Sequence, residues 1–134
     1  METAEKLKKY FSVQGDVLSA YIFGSFAKGK ENQYSDLDVA ILLDVKTSQK
    51  DYADRRVAMM CGLSSALNID LDIVILNNAG PFLKFEVYRH GKVVYEKEMA
   101  KSRSFKARSI LEYFDFLPIK NMLEARLIRR IKEA

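Results

Sequence analysis

Three apolar runs of strand length constrain this chain most: VLSAYIF at 17–23, DLDVAILLD at 36–44 and NIDLDIVIL at 68–76. The second and third each open on two aspartates spaced by two, Asp36 and Asp38 in one, Asp70 and Asp72 in the other. Side chains two apart on a strand point the same way. Asp36, Asp38, Ala40 and Leu42 therefore share one face of their strand, and Leu37, Val39, Ile41 and Leu43 share the other. In the third run Asp70, Asp72, Val74 and Leu76 fall together.

Helical spacing accounts for most of the rest. Thr3 is expected to cap a first helix with Ala4, Leu7 and Phe11 on one face, ending near Gly15. Ser48 followed by Asp51 resembles a capping box, and Ala53, Val57, Met60 and Leu67 carry the helical period to a stop at Asn68. A short helix from Pro81 to His90 ends at Gly91, which makes His90 a C-terminal helix charge, and KVVYEK at 92–97 reads as an edge strand with charged ends. The tail shows one stripe at Ala107, Ile110, Leu111 and Phe114, an interruption at Pro118, and a second stripe at Leu123, Leu127 and Ile131. The first stripe is expected to fold back on the sheet; the second, beside Arg126, Arg129, Arg130 and Lys132, is a candidate for a partner. The expected architecture is α/β in the α+β sense: a mixed, twisted sheet of about four strands, helices chiefly on one face, and a helical tail over about 101–134. Residues 1–134 fit a single domain.

Composition excludes several classes of function. No stretch of eighteen apolar residues occurs, and the opening METAEKLKKYF lacks the apolar run of a signal peptide, so a cytoplasmic protein without a membrane segment is expected. One His and one Cys are too few for a structural zinc site, so any metal must be held by carboxylates. Cys61, within the second helix, is expected to be a buried, inert thiol. The net charge of +4 arises in the tail, where residues 101–134 carry nine Lys or Arg against four acids.

The segment GSFAKGKENQYSDLD carries the chemistry. The first strand stops at Gly24-Ser25, Phe26 to Lys30 leads into a polar turn, ENQYS, and the next strand begins on Asp-x-Asp. Asp36 and Asp38 can aim their carboxylates at a common cleft, where they repel each other unless a cation lies between them. A hard divalent ion resolves that repulsion, and magnesium is the usual choice beside a triphosphate. Asp72 supplies a third carboxylate, and three acids allow two metals about 3.5–4 Å apart. Gly24 lets backbone approach a phosphate closely, while the Ser25 hydroxyl and nearby amides at a helix start can donate to it. Each part alone is weak, since Gly-Ser is a common turn and Asp-x-Asp recurs by chance. Taken in chain order, they describe nucleotidyl transfer.

This signature resembles that of the DNA polymerase beta-like nucleotidyltransferases, and the small size resembles their MNT (minimal nucleotidyltransferase) antitoxin branch. The resemblance extends through LDIVILNNAGPFLKFEVYRHGKVVYEKE and into the tail. It implies the nucleotidyltransferase fold, with Gly24 and Ser25 holding the triphosphate of ATP and Asp36, Asp38 and Asp72 binding magnesium, one of them assisting removal of the acceptor proton. Asp72 fits the family pattern of an acid, an apolar strand and an Asn (Asn77) better than Asp70. Lys28 and Lys30 can reach phosphate oxygens or simply be solvated. The resemblance further implies a HEPN-domain RNase toxin as partner, neutralised by transfer of AMP to a tyrosine. Little room remains for the extra domain with which larger relatives hold their acceptor, so the acceptor is expected to bring its own surface.

Three other readings remain open at this stage. The chain can act as an antitoxin by stoichiometric binding through its amphipathic tail, or as a small-molecule nucleotidyltransferase. Direct nucleic-acid binding by the basic tail is disfavoured, because no aromatic platform is interleaved with its arginines.

Overall fold

A computed structural model describes residues 2–24 and 36–133. The expected turn in ENQYS lies outside the described residues. The elements run α1 (Glu2–Ser12), β1 (Val17–Phe23), β2 (Leu37–Leu43), a 3-10 turn at Gln49–Asp51, α2 (Tyr52–Leu67), β3 (Leu71–Ile75), a second 3-10 turn at Leu76–Asn78, α3 (Pro81–His90), β4 (Lys92–Glu96) and α4 (Met99–Glu133). The four strands form one mixed sheet in the order β3-β2-β1-β4. β1 is antiparallel to both β2 and β4, while β2 and β3 run parallel through the α2 crossover.

The alternation along β2 and β3 sorts the core into two layers. Leu37, Val39, Ile41 and Leu43 of β2 join Leu71, Ile73 and Ile75 of β3 under α1 and α2, which contribute Leu7, Phe11, Met59 and Leu63. Ala40 and Leu42 face the other way, with Leu18, Tyr21, Val87 of α3 and Phe105 of α4. Helices therefore cover both faces, α1 and α2 on one and α3 with the start of α4 on the other, where cover chiefly on one face was expected. Strands buried on both sides need that second layer.

Several local expectations change for tertiary reasons. The helix at the N-terminus already includes Thr3, so Thr3 does not cap it. In α2 the buried positions are Met59 and Leu63, with Tyr52, Met60 and Leu67 partly buried against them. Ala53 and Val57, expected on that stripe, are exposed, as is Cys61, so the buried-thiol reading does not hold. Ser48 precedes the 3-10 turn without a side-chain capping bond. Asn68 ends α2 in the left-handed conformation at φ 55°, as its stop role required.

The tail is one 35-residue helix that continues through Pro118. A helical proline removes one backbone hydrogen bond, a local cost that a helix of this length absorbs. Its packing stripe also differs from the expected one. Ser102 and Ser109 are buried, their small side chains letting the helix approach closely, with Phe105 between them. Ala107, Leu111 and Phe114 are exposed. Tyr113 stacks on Phe85 of α3 at 4.0 Å between ring centroids, and buried Lys84 bonds Glu112 at 2.8 Å. Beyond residue 118, Leu123, Leu127 and Ile131 remain exposed.

Candidate active site

The strand order brings the ends of β1, β2 and β3 side by side. Asp38 lies opposite Phe23 of β1 on one side and Asp72 of β3 on the other. Neighbouring strands are about 4.8 Å apart, so Asp38 and Asp72 are direct lateral neighbours. Both side chains fall on the face that carries Ala40, Leu42 and Val74, and Asp36 stands exposed just before β2. Burial, then the charges of Asp72 and Asp36, push the Asp38 carboxyl above its ordinary value. Neighbouring carboxylates repel one another unless a cation lies between them. Asp70 stands just before β3, its backbone carbonyl accepting from the Leu37 amide at 3.1 Å, and the residue lines an open hollow with Met60, Cys61, Ser64 and Ser65 of α2.

Gly24 directly follows β1 with φ at +74°, a conformation L residues rarely adopt. A Cβ built there would collide with Asp38 Oδ2 and lie 3.3 Å from its Cγ. The glycine thus makes room for the carboxylate in addition to any ligand. Ser25, Lys28 and Lys30 lie outside the described residues.

Two neighbouring arginines of α2 escaped the sequence reading. Arg55 grips Asp16, in the turn before β1, with Nε to Oδ2 and Nη2 to Oδ1 both at 2.8 Å. Burial opposes ionisation of Asp16, but the hydrogen bonds from Arg55 and Thr47 and the charge of Arg55 outweigh it and hold the carboxyl below its usual range. Arg56 donates from Nε to the Ile73 carbonyl and from Nη2 to Asp72 Oδ1, each at 2.6 Å. Their only sequence signal is a pair of adjacent arginines on a helix, where each points to a different side. Asn77 bridges to β2, its Oδ1 accepting from the Leu43 amide at 2.8 Å and its Nδ2 donating to the Leu43 carbonyl at 2.9 Å. It continues the β2–β3 pairing where β3 gives way to the 3-10 turn.

The donor chemistry suits a hard divalent cation, since Asp36, Asp38 and Asp72 offer carboxylate oxygens at these strand ends. Among the described residues no three carboxylate, imidazole or thiol groups already converge on one point, and Asp72 commits one oxygen to Arg56. His90 sits in the last turn of α3, 3.9 Å from Glu86 and on an element apart from these carboxylates. No helix among the described residues is long and apolar enough to cross a membrane.

Comparison with known proteins gives this arrangement a context. The protein adenylyltransferase MntA of Shewanella oneidensis is 34% identical over 77 residues, 56% of this chain. That match spans about half of the relative, 51% of its length. Among solved structures, a chain of a toxin–antitoxin complex with AMP-PNP superposes with a TM-score of 0.78 at 22% identity, covering 96% of this chain and 99% of the other. A chain from the complex of tri-AMPylated Shewanella oneidensis HEPN toxin with MNT antitoxin gives 0.71 at 21% identity, with the same coverage of 96% and 99%. At these identities the likeness is one of fold. The pattern of the family "Polymerase beta, Nucleotidyltransferase" matches residues 5–100, and the chain belongs to that family.

Proposed function

We propose that residues 1–134 act as one cytoplasmic domain that transfers AMP from ATP to a tyrosine of a HEPN-type toxin and thereby neutralises it. The observation that carries the reading is the pairing of Asp38 with Asp72 on adjacent parallel strands, beside Gly24 and below Asp36. The family membership and the name of the MntA relative, a protein adenylyltransferase, point the same way. The fold neighbours come from toxin–antitoxin complexes, which supply the partner class.

In this reading Gly24, with Ser25 and Lys28 after it, receives the triphosphate, and Asp36, Asp38 and Asp72 hold magnesium, two ions in the full arrangement. Bound there, magnesium would balance the charge of the triphosphate and of the pyrophosphate that leaves. The residues themselves orient and deprotonate. The acceptor hydroxyl oxygen forms a bond to the α-phosphorus, the bond from that phosphorus to the bridging oxygen of the β-phosphate breaks, and pyrophosphate departs. One of the carboxylates takes the acceptor proton. The distal half of α4, with Ile119, Leu123, Leu127 and Ile131 all at least half exposed, offers the toxin an apolar strip flanked by arginines.

The test is label transfer from α-phosphate-labelled ATP with magnesium to the co-expressed partner, comparing the intact protein with Asp36→Asn and Asp38→Asn. Label on the partner only with both acids intact supports AMP transfer. Toxin inhibition by all three proteins without any label would replace it with stoichiometric binding.

A further inference from the structure

Resting on the reading of Asp72 as a metal carboxylate, we propose that Arg56 is the positioning residue of this site: it fixes one oxygen of Asp72 so that the other alone faces Asp38 and the cation. Asp72 Oδ1 accepts from Arg56 Nη2 at 2.6 Å and from the Ile73 amide at 3.0 Å. Two donors saturate that oxygen for practical purposes, and Oδ2 accepts from none of the described residues. The guanidinium is itself anchored, because its Nε donates to the Ile73 carbonyl at 2.6 Å.

The direction of approach follows from the topology. β3 is an edge strand with β2 on one side only. The Asp70 carbonyl bonds the Leu37 amide at the entrance to β2, so by the strand period the backbone of Asp72 faces β2 and that of Ile73 faces the open edge. Arg56, carried by α2, therefore reaches Asp72 from the side opposite Asp38. This matters because Asp38 and Asp72 are lateral neighbours of like charge, which repel each other. An Asp72 side chain that is 47% exposed would swing out toward water if nothing held it. An arginine tied to the backbone at the sheet edge prevents that movement; a lysine, with one point charge and no fork, cannot make both bonds.

Such outer partners typically change metal affinity by about ten- to a hundredfold when removed. The experiment titrates Mn2+ into the full-length protein by electron paramagnetic resonance, alongside thermal melting, for the intact protein and for Asp38→Asn, Arg56→Met, Arg56→Lys and Arg55→Met. The intact protein should bind Mn2+ and Asp38→Asn should not. Arg56→Met should weaken binding by about ten- to a hundredfold, and Arg56→Lys by an intermediate factor. Arg55→Met, which disturbs a different bond of the same helix, should lower the melting temperature and leave Mn2+ affinity unchanged. In transfer assays Arg56→Lys should raise the magnesium concentration needed for half-maximal rate more than it lowers the rate at saturation. A folding defect would instead lower the saturated rate alone.

Unchanged or tighter Mn2+ binding by folded Arg56→Lys would overturn the proposal, the latter marking Arg56 as a competitor of the metal. No Mn2+ binding by the intact protein would instead overturn the assignment of the carboxylates. The two failures are thus separable.

Discussion

Gly24→Ala tests how tightly the sheet end is built. The new Cβ meets two obstacles: a backbone at φ +74°, and the Asp38 carboxylate lying in its path. An L residue in the left-handed region costs about 1–2 kcal/mol. Rotating the Asp38 side chain off its well to clear the methyl group adds about 0.5–1.5 kcal/mol. The total is about 1.5–3.5 kcal/mol, and at roughly 2.1 cal/mol/K per residue of unfolding entropy a chain of this length loses about 5–12 °C in melting temperature. Under the proposed function the displaced carboxylate should also slow AMP transfer, since a shift of about 1 Å in a reacting group costs on the order of a hundredfold. Thermal melts by circular dichroism and label transfer provide the two readouts. Repeating Gly24→Ala in an Asp38→Ala background isolates the collision: with the carboxylate gone, only the backbone cost of about 1–2 kcal/mol should remain. Strictly additive losses, or a Gly24→Ala protein that melts and transfers like the parent, would refute the argument that Gly24 makes room for Asp38.

The remaining predictions concern what holds the site in place. The depressed Asp16 carboxyl contributes stability above its unfolded value of 3.8 that is lost as the pH falls through the lower folded value, so acid unfolding should begin at higher pH in Asp16→Asn. At neutral pH the same variant should be less stable by about 2 kcal/mol, read by urea titration, because Arg55 loses its two charged bonds. Asn77→Ala leaves the Leu43 amide and carbonyl without their partner and should cost about 1–3 kcal/mol, with faster hydrogen exchange at Leu43 as the local signature. Replacing Leu123, Leu127 and Ile131 together by Ser should leave the melting temperature within about 2 °C of the parent, because exposed positions bury little. If the partner is the proposed toxin, the same variant should lose its pull-down on co-expression; retained binding would move the partner surface elsewhere.

What could be read before folding was local. Strand periodicity placed Asp36 and Asp38 on the same side as Ala40 and Leu42, and the structure puts Ala40 and Leu42 in one layer and Leu37, Val39, Ile41 and Leu43 in the other. Backbone punctuation worked in part for the same reason: Asn68 ends α2 through its own left-handed preference, whereas Gly91 closes α3 in an extended conformation, where a Cβ would collide with the Val87 carbonyl oxygen and crowd that of Ile22. Helix faces were less legible. In α2 both the Val57 side and the Met59–Leu63 side carry apolar groups, and only contact with α1 and the sheet decides which is buried. Pro118 misled because a breaker is a local penalty, which a long helix built of strong formers absorbs.

The sequence by itself determined the strand segments, their two faces and the aspartates that begin them, because a period of two and a charge are properties of neighbouring residues. Only the tertiary structure decided that β2 lies beside β3 in register, which sets Asp38 against Asp72. It also decided that Gly24 yields its space to Asp38, and that Arg55 and Arg56 turn to opposite tasks across separations of 39 and 16 residues. Those pairings depend on which element packs against which, a choice made by burial of the whole core and by no single residue.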